Sequence, residues 1–176
     1  FKTTVEWDKS GWATYNYDPL LLAMLKARQS IFAGDPPADL VKKVAAEGQG
    51  ALAADERARL KLDVALGDKA DAASLDELVI GHCNTMAREA LAPMAFAQRY
   101  RDAVLADSVL NAIAKRGAAI LFAGNGHVRK DRGVPWYIHQ RDGARKTLSI
   151  QLIEVEPGKT DPEAYAPHDA DGKPAA

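Results

Sequence analysis

Residues 118–138 read AAILFAGNGHVRKDRGVPWYI, an apolar run that stops at glycines and gives way at once to His127, Arg129, Lys130 and Asp131. Residues 118–122 have the length and composition of a strand buried on both faces. The glycines at 124 and 126 then permit a tight turn that residues bearing a Cβ resist. His127 is thereby placed just past a strand's carboxyl end, the edge at which open α/β sheets bind ligands. The stretch predicts an α/β fold with a site at this turn. It is not a phosphate loop, since residues 124–131 match neither G-x-x-x-x-G-K-[ST] nor G-x-G-x-x-G. A histidine after such a turn also serves, in other proteins, as a structural hydrogen-bonder.

Outward from the turn, residues 93–116 carry Phe96, Tyr100, Ala103, Ala106, Leu110 and Ile113 at steps of three and four, the stripe of an amphipathic helix. This stripe is expected to pack on the sheet that contains residues 118–122. Gln98, Arg99, Arg101 and Asp102 flank it, and Arg101 with Asp102 reads as a solvated pair in preference to the wall of a pocket. Gly117 ends the helix and feeds the strand. Downstream, residues 147–155 alternate as a terminal strand, and beyond Pro157 the Pro-, Asp-, Ala- and Gly-rich tail is irregular. Residues 1–156 are read as one domain and residues 157–176 as its tail.

Upstream, residues 1–7 alternate loosely, residues 8–11 form a turn, and Trp12, Tyr15 and Tyr17 make an aromatic cluster. Asp18 and Pro19 open a helix running to about Gln29, and residues 30–33 are a short strand. Leu40, Val41 and Val44 mark a second helix, stopped by Gly48 and Gly50. Residues 54–62 suit a solvent-facing helix, with a flexible connection after Gly67. Ser74-Leu75-Asp76-Glu77 has the form of a capping box that starts a further helix toward Gly81-His82-Cys83-Asn84. His82 and Cys83 are neighbours, so on a helix they point about a hundred degrees apart and make a poor metal pair.

Composition narrows the function. With 176 residues, 47% of them hydrophobic, the chain can bury one ordinary core. Its 24 acidic and 23 basic residues leave a net charge of -1, which argues against a nucleic-acid partner and for a small ligand. The single cysteine, Cys83, excludes an internal disulfide, a multi-cysteine cluster and covalent haem attachment through C-x-x-C-H. No apolar run approaches the roughly 20 residues of a membrane span. A first residue of Phe1, without an initiator Met or an apolar leader, leaves room for a signal peptide, a lipid anchor or further domain ahead of it.

Four ordered motifs, GWATYNYDP at 11–19, GHC at 81–83, AQRYRDAVLA at 97–106 and AGNGHVRKDRGVP at 123–135, resemble the ChaN-like family of bacterial iron-regulated haem-binding lipoproteins. The resemblance implies an α/β fold, a layered sheet with surrounding helices. The family's early strand with its G-E-x-H type motif has no counterpart here, so the chain looks like the later part of such a protein, short of its N-terminal strands. Only residues 30–33, 118–122 and 147–155 offer strands, which implies that the others come from a preceding segment or a second chain.

The resemblance further implies non-covalent haem shared in a homodimer, in which a tyrosine binds the iron and cationic groups of the partner meet the propionates. Tyr17 and Tyr137 are the alternatives for the iron. His127, Arg129 and His82 complete the candidate set. Tyrosinate suits ferric iron, and propionates need cationic or hydrogen-bonding partners. Haem uptake in the cell envelope, periplasmic or at the outer membrane, with an outer-membrane haem receptor as partner and membrane contact only through a lipid anchor, is the implied setting. A binding role is favoured over catalysis. The alternatives are a metal-dependent hydrolase using His127 and His82, and a partner-binding module in which His127 closes a loop.

Overall fold

The computed structural model describes residues 2–4, 6–9, 13–166, 168 and 171–173. The chain divides into two compact units, Phe1–Gly34 and Asp35–Ala176. In the first, a 3₁₀ turn at Trp7–Lys9 precedes helix α1, Asp18–Lys26, whose start is pre-set by the fixed φ of Pro19. Tyr17, rather than Asp18, takes the cap position. None of the residues of α1 is buried, and Leu22 and Leu25 are exposed. The rings of Trp7 and Tyr15 stand edge-on to Tyr17 at 6.2 and 6.1 Å. Phe1 and Val5 of the expected first strand, Ser10 and Gly11 of the turn, and Trp12 of the aromatic cluster lie outside the described residues.

The second unit contains α2 (Ala38–Glu47), α3 (Ala54–Leu60), α4 (Asp68–Gly81), α5 (Arg88–Arg116) and α6 (Val134–Arg141). Helix α5 is the axis, with α2, α3, α4 and α6 packed against it. Its Tyr100, Ala103 and Ala106 are buried with Val44 of α2, Leu60 of α3 and Val134, Tyr137 and Ile138 of α6, while Phe96 and Leu110 pack half-buried at the margin. The helix starts before Pro93, whose missing N–H forgoes only the bond to Glu89, within the first two turns. Gly117 stops it at φ +83°, a conformation glycine adopts without a Cβ clash, and its N–H closes on the carbonyl of Ile113 at 2.7 Å.

The expected layered sheet with surrounding helices is overturned, because no β-strand occurs among the described residues. Residues 30–33, 118–122 and 147–155 form no ladder, and apolar side chains along them stay in solvent: Ile120 is 82% exposed, Leu148 83% and Leu152 82%. Strand propensity measures how well a residue fits a paired, half-buried surface. Without a partner to supply that surface, the same residues leave the core to the helices. Helix α4 is a second correction. It begins at Asp68, not Ser74, so the capping-box residues lie inside it and the flexible connection after Gly67 is helical. Asp68 and Asp71 in its first turn complement the positive end of the helix dipole.

Candidate functional site

The turn expected to carry the chemistry is a 3₁₀ turn, Asn125–Val128, in which the N–H of His127 donates to the carbonyl of Gly124 at 2.9 Å. His127 points inward. Its Nδ1 lies 2.7 Å from Oδ1 of Asp102 on α5, and both side chains are buried. Gln98, one helical turn before Asp102 and therefore on the same face, brings Nε2 to 3.0 Å from Nδ1 and 3.4 Å from Nε2 of the imidazole. Burial pushes the Asp102 carboxyl up to about 6, against the opposing pull of the His127 hydrogen bond and the nearby charges of His127, Arg101 and Arg132. When Asp102 is ionised it accepts from Nδ1–H, which leaves Nε2 as the lone-pair nitrogen of the ring.

That carboxyl makes a pH prediction. The ordinary value is 3.8, and the folded value of about 6 lies above it, so between the two the native state holds a proton that the unfolded chain has released. Stability contributed by this group is complete at low pH and is lost as pH rises through the window, on the order of 3 kcal/mol in all. Urea midpoints at pH 4, 5 and 6 should show a decline that Asp102→Asn flattens. Parallel profiles for the two proteins would refute it.

Beside this pair lies an ion network built on two buried arginines. Arg129 binds Asp131 through two parallel bonds, Nε to Oδ1 at 2.9 Å and Nη2 to Oδ2 at 2.8 Å, and Nη2 also donates to the carbonyl of His168 at 2.8 Å. Arg132 spans from Asp131 Oδ2, at 2.8 Å, to Glu77 Oε2 of α4, at 2.7 Å. Both guanidiniums are buried, whereas Lys130 between them in sequence is exposed. Asp131 also reaches the rim of a cleft of about 340 Å³ lined by Leu66, Gly67, Asp68, Lys69, Ala70 and Asp171.

Of the other candidates, Tyr137 and His82 are held by partners of their own. Tyr137 is fully buried in α6, its Oη accepts from Nε of Arg99 at 3.0 Å, and burial pushes its phenol up to about 12. His82 follows α4, with Nδ1 2.8 Å from the carbonyl of Leu78. Cys83 is exposed. Tyr17 belongs to the first unit, half-buried in its aromatic group. Among the described residues no three His, Cys, Asp or Glu side chains gather as a metal-holding group.

Sequence reasoning missed Asp102, Gln98, Arg132 and Glu77 as neighbours of the turn. Arg101 was expected to pair with Asp102; it binds Asp35 instead, at 3.0 and 2.7 Å, leaving Asp102 to turn inward. The i, i+4 spacing of Gln98 and Asp102 beside the apolar stripe was the available signal.

What the described residues build is a carboxylate-held histidine beside an arginine-rich turn, on a helical frame. The family model for haem-binding uptake, Tiki superfamily, ChaN, matches residues 1–138, and the chain belongs to that family. The match spans the histidine turn, the ion network and Tyr137, and ends before the extended segment at 147–155. No curated protein and no solved structure matches the chain. Haem-binding uptake is therefore the general function to which the site's chemistry has to be fitted.

Proposed function

We propose that the chain binds haem non-covalently for uptake in the bacterial cell envelope, with Tyr17 as the iron ligand. One observation carries the choice of tyrosine. Tyr17 sits half-buried at the head of α1, a helix whose Leu22 and Leu25 are exposed, which puts a phenol on an element that carries apolar surface of the kind a porphyrin face covers. Tyr137 suits the role less well, because ionising a fully buried phenol held up at about 12 works against forming the tyrosinate. At the propionates the His127 turn of a second copy supplies the polar groups. Within it the exposed Lys130 is freer to meet a carboxylate than Arg129, which is already bound to Asp131 and the His168 carbonyl. Delivery by an outer-membrane haem receptor and tethering by a lipid anchor belong to the same proposal.

Titration with ferric haem, read in the visible spectrum, tests it. The wild-type complex should be high-spin with a tyrosinate charge-transfer band. Tyr17→Phe should abolish the band, Tyr137→Phe should retain it, and His127→Ala should weaken affinity while leaving the band in place. A band lost in His127→Ala and kept in Tyr17→Phe would move the iron to His127. That second reading has its own support in Asp102, whose hold on Nδ1 presents Nε2 as a ligand.

A further inference from the structure

Beyond Pro157 the chain returns to the ion network at two points. Nη2 of Arg129 donates to the carbonyl of His168 at 2.8 Å, and Lys69 in the first turn of α4 pairs with Asp171 across the cleft whose rim Asp131 reaches. A guanidinium offers two edges to acceptors, and here they are divided. Asp131 takes the edge formed by Nε and Nη2 and holds the group in place from that side. The second edge, Nη1 with the other proton of Nη2, meets the His168 carbonyl and, 3.9 Å from Nη1, a carboxylate oxygen of Glu77. That edge fits a carboxylate through two parallel charge-assisted bonds, which a neutral carbonyl matches only in part.

We propose that the chain beyond Pro157 is an autoinhibitory strap, whose His168 carbonyl occupies the edge of Arg129 that a ligand carboxylate takes when the strap lifts. With haem as the ligand, as proposed above, the exposed Lys130 meets one propionate while the strap is shut and Arg129 receives the other once it opens. The fastening is light. Lys69 and Asp171 are 72% and 57% exposed, a setting in which an ion pair contributes little. Residues 157–164 are exposed, and Tyr165 Oη accepts from the N–H of Glu156 at 2.9 Å and donates to the carbonyl of Lys159 at 3.2 Å, bonds that stay within the tail's own turn. Lifting the strap therefore disturbs neither that turn nor the helical core, and the Asp131 fork keeps Arg129 aimed at the vacated edge.

Fixing the strap shut tests the device. In a Cys83→Ser background, Lys69→Cys with Asp171→Cys lets a short dithiol-reactive crosslinker bridge the two positions, so that bridged and unbridged protein carry the same charges. Ferric haem should bind the bridged form about tenfold more weakly, the scale of one lost charge-assisted contact. Haem dimethyl ester, which keeps the iron and lacks the carboxylates, should bind both forms alike. In the wild-type chain, haem should speed amide exchange of the tail and the ester should not. Equal haem affinity of the two forms, or tail exchange that haem leaves unchanged, would overturn the strap and leave haem binding standing. Failure of the unbridged and wild-type proteins to bind haem at all would overturn the haem reading itself, and the strap with it.

Discussion

Replacing Gly133 by alanine is expected to cost roughly 3 to 5 kcal/mol and to remove the histidine turn with it. A Cβ at this position would lie 2.5 Å from the carbonyl oxygen of His127 and 2.8 Å from that of Arg129, both well inside any distance a real Cβ shows. Both obstructing atoms are backbone, so no rotamer change relieves the clash. The position is structurally committed as well: its N–H donates to the Arg129 carbonyl at 2.9 Å, and it caps α6, which carries Val134, Tyr137 and Ile138 into the core. Backbone relief must therefore displace either the turn or that helix. Denaturant unfolding of Gly133→Ala measures the loss. A penalty under about 1 kcal/mol, the ordinary single-mutant range, would show that the approach of the two chain segments is looser than described.

Arg129→Ala should destabilise the fold by about 3 kcal/mol, the scale of a broken buried ion pair, rather than act through ligand affinity alone. Removing the guanidinium strands Asp131, which then keeps only Arg132, and frees the carbonyl of His168. Asp131 is near enough to solvent to recover part of its hydration, which holds the cost at the low end of the range for such pairs. Arg129→Lys should recover little, since an ammonium cannot make the two parallel bonds of the fork. Lys130→Ala should leave stability unchanged and lower haem affinity. If Arg129→Ala proves as stable as wild type while haem binding falls, Arg129 is the propionate group and the network is incidental to folding.

How much of this was legible follows from which signals are local. The helices at Asp18–Lys26 and Ala38–Glu47 follow Pro19, the glycine stop at Gly48 and the apolar spacing, all read within a few residues, whereas the solvent-facing reading of residues 54–62 is overturned by Leu60 and Leu62, which are buried in the core. The stripe on α5 was equally visible, because a period of three and four residues is a property of one helix. Its cover was not. Phe96 and Tyr100 specify that a face is buried and say nothing of whether a sheet or α2, α3, α4 and α6 buries it. Residues 118–122 and 147–155 were misassigned for the same reason, since a strand depends on a partner that its own residues do not name. The start of α4 was displaced from Ser74 to Asp68 because a capping pattern competes with helix propensity on either side of it.

For the site, the sequence by itself determined the glycine-bounded turn, the placement of His127 and Arg129 upon it, and, through its ordered motifs, the family. Those are matters of residue identity and short spacing. Only the tertiary structure decided that Asp102 and Gln98 hold the imidazole, that Arg129 and Arg132 share Asp131, and that Tyr137 is enclosed with Arg99 at its hydroxyl. Each of those pairings except the Arg129–Asp131–Arg132 run joins segments tens of residues apart. A charge in sequence does not disclose whether folding will leave it in water, as at Lys130, or desolvate it until it must find a partner, as at Asp102.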